Sequence, residues 1–178
     1  DIKLMAELAK KLTARRFEQG SIDFDLPEPQ IIIDLNGKVE DIVRSERNEA
    51  HKLIEEFMLS ANRAVAEEFS KRALPFIYRI HEPPDEESVN DFADFIATFG
   101  IRFTPGGPKS FQDALERFDG RPEEKLINHV LLRSMKQAVY SEENLGHFGL
   151  AFEDYTHFTS PIRRYPDLVV HRLLKLLM

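Results

Sequence analysis

Cysteine is absent from this 178-residue chain, which excludes disulfides and thiolate metal sites and fits a reducing compartment. Long apolar runs are missing too. No stretch approaches the ~18 residues a membrane helix needs, and no signal-peptide pattern opens the chain. A cytoplasmic protein with no membrane partner is the expectation. Positive charge is scarce: 24 Lys and Arg stand against 31 Asp and Glu, for a net charge of −7. That balance argues mildly against polyanion binding, because phosphate contacts need Lys and Arg. What is present is ordinary for a folded protein, with 42% hydrophobic and 31% charged residues. The length suits one domain with a real core.

The average charge hides an asymmetry. Glu82 to Phe95 holds six acids and no base, whereas His157 to Met178 holds Arg163, Arg164, Arg172 and Lys175 against Asp167 alone. Binding depends on the local field, so a basic patch on an acidic protein can still hold phosphate. The chain opens on Asp1 with Leu4, Met5, Leu8 and Leu12 already at helical spacing, and closes on an apolar run without a terminator. A piece of a longer protein is expected.

Periodicity and turn residues predict a helix over about Ile2–Phe17 and short strands at Ser21–Asp25, Gln30–Asp34 and Lys38–Arg44. Asn36-Gly37 joins the last two as a hairpin. Helices are expected at about Arg47–Arg72, Glu86–Phe99, Lys109–Phe118 and Pro122–Tyr140, with a short buried strand at Phe76–His81. A Gly- and aromatic-rich segment follows Ser141 and leads into a terminal helix.

The densest motif is His157-Phe158-Thr159-Ser160-Pro161-Ile162-Arg163-Arg164-Tyr165-Pro166-Asp167. Ser160-Pro161 is a good helix start, and Pro166 should kink or restart that helix near Tyr165. A helix start with two arginines suits a phosphate. Pairing of Arg163 and Arg164 with surface carboxylates is the other reading. The second feature is the helix around Glu55. With Ile54 at zero on a helical wheel, Glu55 falls at about 100°, near His51 and Asn62, while Glu56 falls at about 200°. Glu55 should therefore border a cleft, or an edge network that satisfies itself, and Glu56 should be solvated. His147, His157 and His171 lack the spacing of a helical metal pair, and no P-loop appears, so no nucleotide cofactor is expected. The glycines of Gly146-His147-Phe148-Gly149 suggest tight turns.

These segments together resemble the ribonuclease R/ribonuclease II (RNB) family, specifically the C-terminal part of its catalytic domain. The likeness runs from Arg47-Asn48-Glu49-Ala50-His51-Lys52-Leu53-Ile54-Glu55-Glu56 through Tyr78-Arg79-Ile80-His81, Leu131–Ala138 and Gly146–Leu150 to Tyr155–Arg172, in family order. The resemblance implies an α/β fold: a helix-rich partial RNB domain over residues 1–178, with a small, mainly antiparallel sheet. It implies a parent enzyme that degrades single-stranded RNA processively from the 3′ end, releasing nucleoside 5′-monophosphates. In that family Mg²⁺ is held by aspartates upstream of the region matched here, so no metal ligand is expected in this chain and the isolated piece should be inactive. Arg163 matches the arginine that contacts the scissile phosphate. Ser160 and Arg164 would support it or grip a neighbouring phosphate, with His157 and Tyr165 joining the RNA-binding set. Glu55 matches a glutamate implicated in preferring RNA to DNA. A non-catalytic RNA-binding or assembly module that keeps the same groove is the alternative.

Overall fold

The computed structural model describes residues 1–24, 29–44 and 48–177. Helix α1 spans Ile2–Glu18 and ends at Gly20, whose φ of +99° a residue with a side chain would adopt only under strain. An added Cβ there would also lie 2.7 Å from the Lys109 backbone nitrogen, so the chain turns tightly against the start of a later helix. Strands β1 (Pro29–Ile33) and β2 (Val39–Arg44) form the expected antiparallel hairpin, with Gln30 opposite Val43. Asp34 closes it, because its Oδ1 accepts from the backbone N–H groups of Asn36 and Lys38, each at 2.8 Å. Ser21–Phe24 is extended chain and not a strand; the Ile22 N–H donates to Gly149 O, so this stretch packs as a strap. The expected strand end at Asp25, the helix start at Arg47 and the last residue, Met178, lie outside the described residues.

Helix α2 (Glu49–Lys71) is capped by Asn48, whose side chain accepts from the His51 N–H. Its second half buries Ala66 and Phe69 against Phe76, Tyr78, Ile80 and Val170. Phe69 and Phe76 stack at 4.1 Å between ring centroids. Strand β3 (Tyr78–Ile80) thus sits in the middle of one core. A second core is built by α3 (Glu86–Ala97), α4 (Pro108–Glu116) and α5 (Glu124–Ser134), which bury Phe92, Ile96, Phe111, Phe118, Ile127 and Leu131.

The helix expected to run to Tyr140 stops at Ser134. Residues Val139–Ser141 instead form β4, paired antiparallel with β3 so that Tyr78 faces Ser141 and Ile80 faces Val139. Local helix preference loses here to tertiary pairing. Lys136 is held from both ends: its carbonyl bonds His81 Nε2 at 2.8 Å and its ammonium pairs with Glu82 at 2.7 Å. The last helix, α6 (Tyr165–Leu177), packs Val170, Leu173, Leu174 and Leu177 on the α2–β3 core. The described residues therefore make a helix-rich α/β fold with two small antiparallel sheets. No helix among them is long and apolar enough to cross a membrane.

Candidate nucleic-acid interface

Residues 155–164 pass beside β3 and lead to the start of α6, and α2, the β3 segment and α6 fix their backbone. Next to β3, the Arg79 N–H donates to Tyr155 O at 2.9 Å, and the fully buried Thr156 hydroxyl donates to Ile77 O at 2.6 Å. From α2, Asn62 is buried and its Oδ1 accepts from two successive N–H groups, Phe158 at 2.9 Å and Thr159 at 3.2 Å. Its Nδ2 donates to the Tyr155 hydroxyl at 3.1 Å. From α6, His171 bonds Phe158 O at 2.9 Å and stacks on the Phe158 ring at 4.1 Å. Asp167, wholly buried in the first turn of α6, accepts from the Ser160 N–H at 2.8 Å and from Arg164 Nη2 at 2.7 Å.

The helix does not start at Ser160. Ser160 O accepts from the Arg163 and Arg164 N–H groups, which makes a turn, and α6 begins at Tyr165 with Pro166 in its first turn. Proline is tolerated there because its missing donor would have had no intrahelical partner. Restart near Tyr165 is thus what the structure has. The free amide end expected at Ser160 is absent, since that N–H belongs to Asp167.

The two arginines part company. Arg164 turns inward to Asp167, its side chain 19% exposed. Its Nε, Asp167 Oδ2 and Thr159 Oγ1 are buried without a hydrogen-bond partner among the described residues. Arg163 points out beside the fully exposed Ile162 and the exposed Tyr165, and among the described residues its guanidinium makes no hydrogen bond or ion pair. Arg164 is therefore paired, with a buried carboxylate and not the surface one expected, and Arg163 is left as an open cation.

His157 lies beside this turn and is not a cation at neutral pH. Burial pushes it down to about 4, helped by the positive Arg164 and Arg79. Its Nδ1 meets the Tyr140 hydroxyl at 2.7 Å, and the Arg79 guanidinium covers the Tyr140 ring at 4.8 Å. His147 is held down to about 3 by burial and then by His81. Gly149 brings its N–H to within 3.0 Å of His81 Nδ1, and an added Cβ at Gly149 would lie 2.9 Å from that nitrogen. The imidazoles pack and hydrogen-bond; the arginines carry the charge.

Helix α2 departs from the wheel. Glu56 is buried, not solvated: its carboxylate accepts from Arg16 Nη2 at 3.1 Å, Arg16 Nε at 3.3 Å and the Thr13 hydroxyl at 3.0 Å. Ile54, set at zero on that wheel, is 54% exposed. An apolar wheel ranks faces by hydrophobic area, and the first half of α2 buries an ion pair against α1 instead. Glu55 and His51 are exposed, while Asn62, seven residues on from Glu55 and on the same side of the helix, bonds the two residues that precede the arginine turn. Glu55 sits ~10 Å along the axis from that contact. The expected strip of His51, Glu55 and Asn62 is therefore split between solvent and core.

Sequence reasoning missed Asn62 as a clamp and Asp167 as the acceptor behind the turn. The i, i+3 spacing of Arg164 and Asp167 was a usable signal. Asn62 had none, because its backbone partners are 96 and 97 residues away. Among the described residues no group of three or more His, Asp or Glu could hold a metal ion.

A profile of the RNB domain matches residues 1–178. Ribonuclease R of Aquifex aeolicus (strain VF5) is 49% identical over 177 residues, covering 98% of this chain and 25% of that protein. Among solved structures, the apo form of Mycoplasma genitalium RNase R superposes with a TM-score of 0.94 at 29% identity, over 98% of this chain and 28% of that one. The same enzyme in complex with ribose methylated single-stranded RNA gives 0.93 at 29% identity, with the same coverage. The chain spans about a quarter of the length of these proteins.

Proposed function

This chain belongs to the RNB domain family, and from that premise we propose that it is part of a 3′→5′ exoribonuclease. The parent protein hydrolyses single-stranded RNA processively and releases nucleoside 5′-monophosphates. The observation that carries the reading is Arg163, an open guanidinium on a turn pinned by Asp167 at Ser160 and by Asn62 at the two residues before it. Its planar fork meets the scissile phosphate and is worth most as charge builds on the phosphate oxygens in the transition state. Arg164 and Ser160 support that contact from behind, and His157 and Tyr165 flank the strand. The enzyme is Mg²⁺-dependent in this reading. Among the described residues no group of His, Asp or Glu fits a magnesium site, and in this reading the ligands belong to other parts of the RNB domain. A cytoplasmic location accords with the absence of cysteine.

The test is digestion of a 5′-labelled single-stranded RNA by the whole parent protein, with the 178-residue chain as control. The expected result is progressive shortening from the 3′ end with release of 5′-monophosphates by the parent, and no release by the chain alone. Internal cuts, or no hydrolysis by the parent, would remove the reading and leave a non-catalytic RNA-binding module in its place.

Support for a ribose-reading role of Glu55 is its position on the exposed side of α2, above the Asn62 contact. A carboxylate there accepts from a ribose 2′-hydroxyl, and deoxyribose offers no donor. Glu55→Ala in the parent is expected to narrow the preference for all-RNA over RNA with a single deoxy position near its 3′ end by about tenfold, as for loss of a hydrogen bond to a charged acceptor. An unchanged preference would assign Glu55 to the helix surface alone.

A further inference from the structure

We propose that Asn62 is the positioning residue for Arg163, so that α2 sets the geometry of the phosphate contact from 101 residues away in sequence. The proposal rests on the reading of Arg163 as the contact to the scissile phosphate. The Asn62 amide is 3% exposed and all of its described bonds go to one segment. Oδ1 bridges the Phe158 and Thr159 N–H groups, and Nδ2 is anchored on the Tyr155 hydroxyl, which fixes the amide's orientation. The residue after this bridge is Ser160, whose carbonyl accepts the Arg163 and Arg164 N–H bonds that form the turn. Releasing two successive N–H groups loosens the segment that leads into the turn, which then keeps its bonds at Tyr155, Thr156 and the Phe158 carbonyl. From the α6 side Asp167 holds the Ser160 N–H and the Arg164 guanidinium, and His171 holds the Phe158 carbonyl. The asparagine is suited to the task because it is neutral. It offers an acceptor to two donors and a donor to a phenol without adding a charge beside Arg164 and Asp167.

The contact at Arg163 depends on geometry, and misplacement of a reacting contact by about 1 Å can lower a rate by about a hundredfold. The experiment is a double-mutant cycle in the whole parent protein, with Asn62→Leu and Arg163→Ala alone and combined. Asn62→Leu is expected to lower kcat by about ten- to a hundredfold with KM changed less than about threefold, as when an interaction made only in the transition state is weakened. In the Arg163→Ala background the same change should alter kcat less than about twofold, because the group it positions is gone. Asn62→Asp keeps acceptor oxygens for both amides but adds a buried charge and gives up the Nδ2 donor, so it should recover only part of the loss. Amide hydrogen exchange should quicken at Phe158 and Thr159 in Asn62→Leu, and not in Arg163→Ala. If Asn62→Leu does not fold, Asn62→Ser, too short to bridge both amides, takes its place in the same cycle. Equal losses in both backgrounds, or unchanged exchange at Phe158 and Thr159, would overturn the proposal while leaving Arg163 in its role. Full turnover by Arg163→Ala alone would overturn both.

Discussion

Glu56→Ala is expected to destabilise the 178-residue chain by about 3–5 kcal/mol, as when one partner of a buried ion pair is removed. The Glu56 and Arg16 side chains are 6% and 8% exposed, with Nη2 and Oε2 at 3.1 Å. Arg16 also donates through Nη1 to the buried Ser21 at 2.6 Å and lies over the Phe17 ring at 4.9 Å. Its guanidinium is thus committed to a buried site, and without the carboxylate it would remain there as an uncompensated charge. The Thr13 hydroxyl would lose its acceptor as well. Glu56→Gln keeps an acceptor oxygen and removes the charge, so its loss should be intermediate. Replacing both Arg16 and Glu56 by apolar residues of similar volume should cost less than Glu56→Ala, because no lone charge is left. The neighbouring Glu55→Ala, at an exposed position, should stay within about 0.5 kcal/mol. Urea unfolding of the four variants checks this. A loss under about 1 kcal/mol for Glu56→Ala would mean that water reaches the pair.

The contrast between Glu55 and Glu56 shows where sequence reasoning works here and where it fails. Elements with strong local signals were legible: α1, α3 and α4 from apolar spacing, the hairpin from Asn36-Gly37, and the break before Tyr165 from Pro166. Local chemistry determines each of these. Residues 135–140 misled because they suit a helix in isolation, whereas the helix stops at Ser134 and Val139 and Tyr140 join a strand through pairing with β3, some 60 residues earlier. The wheel on α2 failed for a related reason. It assumes that the most apolar face goes inward, yet α1 offers Arg16 to Glu56 and leaves Ile54 outside. At the site, the type and spacing of residues pointed to Arg163. Which of the paired arginines stays open was set by the Arg164–Asp167 ion pair, whose i, i+3 spacing is visible in the sequence, and the clamp ahead of the turn by Asn62, through backbone bonds that no periodicity encodes.

Arg163→Ala carries the largest expected effect on function. Removing one donor aimed at developing charge typically lowers kcat by about 10²–10³-fold, or ~2.7–4 kcal/mol. Affinity should respond far less, because an RNA strand is held by many phosphate contacts and this one strengthens only as charge develops. Arg163→Lys should recover little, since an ammonium cannot reproduce the planar two-point grip on phosphate. Arg164→Ala should differ in kind: it removes the partner of the buried Asp167 and should lower stability together with turnover. The most direct measurement is the single-turnover rate of 3′-terminal cleavage by the whole parent protein, wild type against Arg163→Ala, alongside the Kd for the same RNA at fixed salt. The account predicts a rate at least about a hundredfold slower with Kd within about tenfold. A near-normal rate with Kd weakened beyond that would contradict it and make Arg163 a binding contact only.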